Sequence, residues 1–338
     1  MQNLHIDINQ NNTYSKRLKS NNRMATDGVY MYMRFRVAAV IAVSIFLVLL
    51  VGCGDKEIPV TSHEQLLSGI THDNAAIVID TVVDVFEEPD VISTRKTQVL
   101  YNQLLSIEEE MGDWTRVTLL NGDTGWLKSK FLSRDYSGII DGSIENKIVV
   151  TAKNIEIYTG TNNSVKFKQV VTGTELYSFS KTNTGYEVFL PEGRRGWVED
   201  GGVIAIPIND PQIKKTSTVE FLQTVKKFEG TIYLIGGISK WGIDSSGLVY
   251  ISARVNGVDI PRDLEKMSEF GKSVGIEQLA EGDLIFFSST SDKTDVSDVA
   301  IYIGNNNFLH ASKTRGVIQE SLEDTYYGDR VCDIKRIF

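Results

Sequence analysis

Short runs of apolar and β-branched residues, separated by polar turns, fill the chain from about residue 75 to residue 132. No long helical period interrupts them, so the pattern predicts a small all-β unit. The pattern recurs about 71 residues later, where Gly196-Trp197 matches Gly125-Trp126 of the first copy. The sequence therefore predicts an internal repeat of two small barrels.

Helical spacing of apolar residues replaces this pattern beyond residue 216. Thr218 precedes apolar side chains three and four residues apart, which predicts an N-cap and a first helix. Two more helices are predicted, from Ser246 to about Val255 and near Leu264 to Gly271. The β-patterned runs come later, at Asp283–Phe287, Val299–Ile303, Asn307–His310 and Val331–Ile337. Helices followed by an antiparallel sheet predict an α+β domain.

The N-terminal 52 residues have a targeting pattern. The first 32 are polar and rich in Asn, so Met31 or Met33 is an alternative start. The apolar run Val37–Gly52 follows two arginines and precedes Cys53, as in a secretory signal. Its sixteen residues are short for a spanning helix, although an uncleaved membrane anchor is the alternative interpretation. The tetrapeptide ending at Cys53 resembles a bacterial lipoprotein signal, which implies that Cys53 is the lipidated first residue of the mature chain.

Charge and cysteine content exclude several functions. Six of the 35 basic and two of the 44 acidic residues precede residue 53, so 29 face 42 afterwards and the net charge is near −13. An acidic chain without a basic run lacks the electrostatic footprint of a nucleic-acid binder. Only Cys332 remains if Cys53 is lipidated, so neither an internal disulfide nor a cysteine metal site is expected. Cys332 lies in a β-patterned run, which favours a buried strand cysteine over a second nucleophile.

A glycine-rich turn runs directly into a helical segment within residues 236–250, and Ser245 lies where the helix begins. Unpaired backbone N–H groups and the positive end of the helix dipole would face that side chain. Such a site lowers the pKa of a thiol or stabilises an oxyanion, so the position suits a nucleophile.

This stretch resembles the NlpC family of papain-like bacterial cell-wall peptidases, in which a Tyr-x-x-Gly-Gly turn precedes Asp-Cys-Ser-Gly and the cysteine attacks. The matching residues are Tyr233, Gly236, Gly237, Asp244, Ser246 and Gly247. Ser245 stands where the cysteine is expected. Further motifs follow in the family's order, so the resemblance covers roughly residues 219–338.

The resemblance also identifies the expected partners of the nucleophile. The family's general base, a histidine just before a β-strand, corresponds to Asp298, and the residue that orients it corresponds to His310. A serine needs a neighbouring base at neutral pH, and a carboxylate is a poor one. A serine triad needs imidazole between hydroxyl and carboxylate, whereas here the carboxylate has the middle position. The sequence therefore predicts an altered catalytic centre, unless His310 rearranges to contact Ser245.

Both β units resemble bacterial SH3 (SH3b) domains, which precede the peptidase domain in a subgroup of the family. In that subgroup the first SH3b domain confines the free amino end of a muropeptide. The resemblance implies substrate contacts from Glu88, Tyr233, Ser246 and Asp263. An aromatic residue often found in the late hairpin of the first domain falls near Asp123. Asp263 has an alternative role, because Asp commonly caps a helix such as the one predicted after it.

The predicted organisation has six parts: a signal segment (1–52), a linker (53–74), SH3b-like domains at 75–134 and 146–206, a second linker (207–215), and an NlpC-type domain (216–338). We expect a lipid-anchored, catalytically inactive homologue in the cell envelope that binds peptidoglycan peptides or a partner protein. An active γ-D-glutamyl-diamino-acid endopeptidase using Ser245 is the alternative, and a scaffold that uses only its SH3b domains is a third. No cofactor or metal is expected.

Overall fold

The computed structural model describes residues 74–160, 165–290 and 292–338. The predicted signal segment, the lipidation site Cys53 and nearly all of the first linker lie outside these residues. No helix in the described ranges is long and apolar enough to cross a membrane.

The first β unit is an antiparallel sheet whose strands have buried apolar faces. In β5, for example, Trp114 and Val117 are buried while Arg116 between them is exposed. Its strands are β1 (Ala75–Val78), β2 (Val82–Phe86), β3 (Arg95–Leu100), β4 (Leu104–Met111), β5 (Trp114–Thr118), β6 (Thr124–Lys128) and β7 (Leu132–Ser133). Their order in the sheet is β3-β2-β6-β5-β4-β1-β7.

The second β unit repeats this topology. Its strands are β8 (Asn146–Val150), β9 (Asn154–Tyr158), β10 (Lys166–Val171), β11 (Glu175–Lys181), β12 (Gly185–Leu190), β13 (Arg194–Glu199) and β14 (Val203–Pro207). Their order, β10-β9-β13-β12-β11-β8-β14, is the order of the first sheet with every strand number raised by seven. The predicted repeat is therefore confirmed in the strand order.

The two predicted all-β units are confirmed as SH3-like sheets, but these sheets are not closed into barrels. Among the described residues, no pairing joins the outermost strands β3 and β7 of the first sheet, or β10 and β14 of the second. Each unit is an open, SH3-like sheet whose strands β1 and β8 each pair with two neighbours. Apolar patterning identifies buried strand faces, but closure depends on edge pairings that the pattern does not specify.

The C-terminal part is α+β, as predicted. Its elements are α1 (Thr218–Lys226), β15 (Ile238–Ser239), β16 (Gly242–Ile243), α2 (Ser245–Val255), α3 (Leu264–Ser268), β17 (Lys272–Ser273), β18 (Leu284–Phe287), β19 (Asp298–Gly304), β20 (Asn307–Ser312), β21 (Gly316–Ser321), α4 (Thr325–Gly328) and β22 (Val331–Arg336). Single 3₁₀ turns lie at Ser129–Phe131, Ser137–Ile139 and Ile276–Gln278. The main sheet is antiparallel, in the order β17-β22-β18-β19-β20-β21, and α2 packs against β19 and β20.

The N-cap of helix α1 lies one residue earlier than predicted. Ser217, not Thr218, is the N-cap, because its hydroxyl accepts the Glu220 N–H while the Glu220 carboxylate accepts the Ser217 N–H. This reciprocal pair is a capping box, which satisfies two otherwise unpaired donors. The glutamate three residues after Ser217 is the signal that distinguishes the two candidates.

The hydrophobic core of the C-terminal domain extends into both β units. Leu100 of β3 and Val171 of β10 belong to the same buried cluster as Leu248 and Ile251 of α2. Burial of apolar side chains is the main stabilising contribution to such a contact. The helix that begins at Ser245 is thus packed against side chains from both β units.

Candidate active site

Ser245 is the first residue of α2, so the prediction that it lies at a helix N-terminus is confirmed. The N-cap is Asp244, whose Oδ1 accepts the Gly247 N–H at 2.7 Å. Ser245 itself is 8% exposed. The β15–β16 hairpin and the turn at Gly236 lead into this helix start.

Asp244 also organises the turn before the helix. Its Oδ2 accepts the Gly236 N–H at 2.6 Å, and Arg262 Nη2 donates to both carboxylate oxygens at 2.8 Å. Arg262 Nη1 donates to the Ser246 hydroxyl at 2.5 Å. Because Arg262 and Asp244 are largely buried, the pair fixes the turn and the first helical residues together. Sequence reasoning missed Arg262, although it directly precedes Asp263.

Asp298 and His310 meet, as their assigned positions predict. Asp298 begins β19, His310 lies on the adjacent β20, and His310 Nδ1 lies 3.2 Å from Asp298 Oδ2. Asp298 Oδ1 accepts the Val299 N–H at 2.9 Å. The carboxylate is therefore held by the imidazole on one side and the backbone on the other.

The second ring nitrogen of His310 lies near another carboxylate. His310 Nε2 lies 4.0 Å from Glu320 Oε1, and Arg315 in turn pairs with Glu320. His310 is 3% exposed, and Tyr327 lies edge-on to its ring at 5.6 Å between ring centres. Glu320, Arg315 and Tyr327 come from β21, the turn before it and α4, and the sequence patterns gave no sign of them.

Neither nitrogen of His310 contacts Ser245. Nδ1 is taken by Asp298, and Nε2 has no hydrogen-bond partner among the described residues. The rearrangement that would complete a serine triad is therefore not the arrangement in this structure. The hydrogen-bond partner of His310 Nδ1 is the Asp298 carboxylate and not the Ser245 hydroxyl.

Tyr233 lies close to the negative charges of this centre. Burial, followed by the charges of Asp244 and Asp298, raises the pKa of Tyr233 to about 12. Its hydroxyl consequently keeps its proton at neutral pH and is available as a hydrogen-bond donor. Tyr233 is joined to β16 through a parallel bridge to Ile243.

A cleft separates the first β unit from the helix start. It is lined by Arg95, Lys96, Thr97, Leu119, Asp123, Thr124, Ile235, Gly236, Asp244, Ser246, Arg262, Asp263 and Leu264. Ser246 and Asp263 are thus brought together here. The two walls are tied to each other because Arg95 Nη1 donates to Ile235 O at 3.0 Å and the Ile238 N–H donates to Gln98 Oε1 at 3.0 Å.

Asp263 caps a helix, as its alternative role predicts, and also lines the cleft. Its Oδ1 accepts the Lys266 N–H at 3.0 Å, so it is the N-cap of α3. The residue is exposed, and the cap engages one of its two oxygens. The N-cap prediction is confirmed, and a contact with a ligand stays a prediction.

Glu88 does not line this cleft. It lies in the exposed turn between β2 and β3, where its backbone N–H donates to Ser93 Oγ at 3.0 Å. Nothing in the described part of the chain joins its carboxylate to Ser246 or Asp263. Its predicted contact with a substrate therefore remains an expectation.

Cys332 and possible metal ligands complete the inventory of reactive groups. Cys332 is on β22, its Sγ donates to Phe286 O at 3.3 Å, and burial raises the pKa of its thiol. These features agree with a packed strand cysteine.

Across residues 74–160, 165–290 and 292–338, no three His, Cys, Asp or Glu side chains are grouped to hold a metal ion.

A helix that follows a glycine-rich turn and packs on an antiparallel sheet, with SH3-like β units alongside, is typical of a papain-like peptidase fold with SH3-like accessory domains. The NlpC/P60 family model matches residues 230–336, and the bacterial SH3 domain model matches residues 81–133. The chain belongs to the NlpC/P60 family.

Individual relatives support this assignment over most of the chain. A γ-D-glutamyl-L-lysine dipeptidyl-peptidase of Bacillus cereus is 30% identical over 66% of this chain and 69% of the relative. The murein DD-endopeptidase MepS/murein LD-carboxypeptidase of Escherichia coli is 40% identical over 32% of this chain and 57% of its own length. The crystal structure of a Bacillus cereus NlpC/P60 protein superposes with a TM-score of 0.71 and 25% identity, covering 78% of this chain and 99% of that one.

Proposed function

We propose that this chain is a catalytically inactive NlpC/P60 protein that binds peptidoglycan stem peptides in the cell envelope. The observation that carries the proposal is the pairing of His310 with Asp298, which leaves Ser245 without a contacting base. The family supplies the target, a cell-wall peptide, and the extracytoplasmic location. The domain boundaries predicted from the sequence are part of the proposal.

The chemistry of the substituted positions supports inactivity. A hydroxyl must lose its proton to attack, and general-base catalysis accelerates such steps by roughly 10²- to 10⁴-fold. Asp298 would have to act as that base, and its negative charge would repel the oxyanion that forms nearby. His310 Nδ1 is engaged by Asp298, so the imidazole is not positioned to take the proton from Ser245.

The cleft supports recognition. The Bacillus cereus relative is a γ-D-glutamyl-L-lysine dipeptidyl-peptidase. A dipeptidyl-peptidase releases an amino-terminal dipeptide, which means that one residue with a free α-amine precedes the glutamyl residue. An ammonium group of this kind would be met by the carboxylate of Asp263, with Ser246 beside it and Tyr233 as a further contact. The proposed ligand is therefore a stem peptide with a free amino end.

Attachment to the membrane is the second part of the proposal. Cys53 follows an apolar run and would carry the lipid, which would hold the binding domains at the outer face of the cytoplasmic membrane. Globomycin-sensitive processing of the precursor and labelling of the mature chain with a fatty-acid analogue, both abolished by Cys53→Ala, are the expected results. An unprocessed but membrane-bound chain would instead indicate an uncleaved anchor.

Binding without turnover is the test of the main proposal. Purified full chain is titrated calorimetrically with L-Ala-γ-D-Glu-L-Lys and, separately, incubated with it for mass spectrometry. We expect heat of binding and no released L-Ala-γ-D-Glu. Asp263→Ala should weaken binding, while Ser245→Ala should leave it unchanged. Dipeptide release that disappears in Ser245→Ala would overturn the inactive assignment.

One observation favours the alternative, an active hydrolase that uses Ser245. The serine lies at the N-terminus of α2, where unpaired backbone N–H groups can stabilise an oxyanion. This arrangement is the part of the catalytic machinery that the substitutions leave in place. The mass-spectrometric experiment separates the two functions, because only the alternative predicts a product that depends on Ser245.

A further inference from the structure

Some of the charged side chains that line the cleft form ion pairs and others do not. Three basic and three acidic side chains line it, namely Arg95, Lys96, Arg262, Asp123, Asp244 and Asp263. Arg262 and Asp244 neutralise each other. Arg95 is paired with Asp84 at 2.8 Å, outside the lining. The other three, Lys96, Asp123 and Asp263, have no ion-pair partner in the part of the chain that the structure describes.

Lys96 is therefore the basic group of the cleft that a ligand can neutralise. It lies on β3, its side chain is exposed, and its Nζ donates to Thr124 O at 2.6 Å. An ammonium group has three donors, so this contact positions the charge and leaves donors for a ligand. Asp263 lies on the other wall, which belongs to the C-terminal domain.

The cleft is thus complementary to a ligand that carries both an ammonium and a carboxylate. A γ-linked glutamyl residue has this second group, because the γ-bond uses the side-chain carboxyl and leaves the α-carboxylate free. The α-amine of the preceding residue and this carboxylate are at most two residue lengths apart, about 7 Å. Only groups that line one cleft can meet both charges.

We propose that Lys96 is a specificity-determining residue that binds the free α-carboxylate of a D-glutamyl residue and selects it over the carboxamide. The proposal rests on the proposed function, in which Asp263 meets the amine of the same ligand. A carboxamide keeps the shape of the carboxylate but loses its charge, so it forms a weaker hydrogen bond with Lys96. Lys96 is exposed, which limits the discrimination to roughly fivefold in dissociation constant.

Two peptides and two variants test this assignment. The full chain is titrated calorimetrically with L-Ala-γ-D-Glu-L-Lys and with the same peptide carrying an α-carboxamide on the glutamyl residue. We expect the wild-type chain to bind the carboxylate peptide roughly three- to fivefold more tightly, with less discrimination at high salt. Lys96→Met should bind both peptides equally, whereas Lys96→Arg should retain the preference. Lys130→Met, which removes an exposed lysine outside the cleft, is the matched control.

The outcomes distinguish the role of Lys96 from the proposed binding of stem peptides. Equal binding of the two peptides by the wild-type chain, or undiminished discrimination in Lys96→Met, overturns the role of Lys96 while leaving stem-peptide binding in place. Binding of neither peptide overturns both. Thermal unfolding of each variant identifies loss of binding through misfolding, and Lys96→Gln, which also removes the charge, retains the test if Lys96→Met does not fold.

Discussion

Substitution of Gly236 by alanine should show that the cleft depends on contact between its two walls. Gly236 has a φ of +74°, and an added Cβ would lie 2.6 Å from Arg95 O on β3. Gly230 is a matched control, because its φ is +77° and an added Cβ would have no neighbour within 4 Å. Both substitutions incur the cost of a left-handed conformation, about 1–2 kcal/mol.

Only the change at Gly236 forces β3 away from the turn. The shift would break two hydrogen bonds between the walls, Arg95 to Ile235 O and Ile238 N–H to Gln98, each contributing about 1 kcal/mol. We therefore expect Gly236→Ala to lower the free energy of unfolding by about 3–4 kcal/mol and Gly230→Ala by about 1–2 kcal/mol.

Urea unfolding measures the difference, and calorimetric titration with L-Ala-γ-D-Glu-L-Lys measures its consequence for the cleft. Affinity should fall at least tenfold in Gly236→Ala and remain unchanged in Gly230→Ala. Equal loss of stability in the two variants would mean that contact between the walls contributes nothing. Unchanged affinity in Gly236→Ala would mean that the first β unit does not shape the binding site.

Three further predictions concern the altered centre. Arg262→Met leaves the buried Asp244 carboxylate without its cation but with two backbone donors, so the free energy of unfolding in urea should fall by about 2–4 kcal/mol. Arg134→Met, at an exposed pair, should have little effect. Similar losses of stability in the two variants would contradict the buried-pair argument. Ser245→Cys combined with Asp298→His should release dipeptide from the tripeptide, detected by mass spectrometry, while neither single variant does. An inactive double variant would show that the site has diverged at further positions. The pKa of Tyr233 is raised from 10 to about 12, so the contribution of this group to stability is fully present below pH 10 and is lost as the pH rises through 12. The free energy of unfolding should therefore fall between pH 10 and 12, and less steeply in Tyr233→Phe. Identical pH profiles of the two proteins would contradict this prediction.

The sequence predicted the parts of this molecule that local patterns determine. The helix start at Ser245 follows from the glycine-rich turn and the apolar spacing after it, and the repeat follows from the matched Gly-Trp pairs. Local chemistry was also enough to separate Ser217 from Thr218, since the glutamate that completes the capping box lies in the same turn. The prediction of Thr218 as the N-cap was wrong because it did not take into account Glu220, whose carboxylate completes the capping box with Ser217.

The contacts around His310 could not be predicted in this way. Glu320 approaches the ring only because β21 pairs with β20 in a register that sets Ile318 opposite His310. Arg262 reaches Asp244 from a segment that lies beyond the end of α2. Such contacts are set by long-range packing, which leaves no periodicity in the chain. Edge pairing in the β units is also set by long-range packing, so the sequence patterns did not show that the sheets stay open.

The burial of Leu100 and Val171 beside α2 restricts how this architecture can be recombined. A β domain transplanted from another protein would have to supply apolar side chains of matching shape at both places, or expose part of Ile251 and its neighbours to water. Neither β unit can consequently be exchanged for that of another protein without changing the shared core. Any change of ligand preference has to arise by substitution within the existing walls, where Lys96 and Asp123 can vary without disturbing the shared interior.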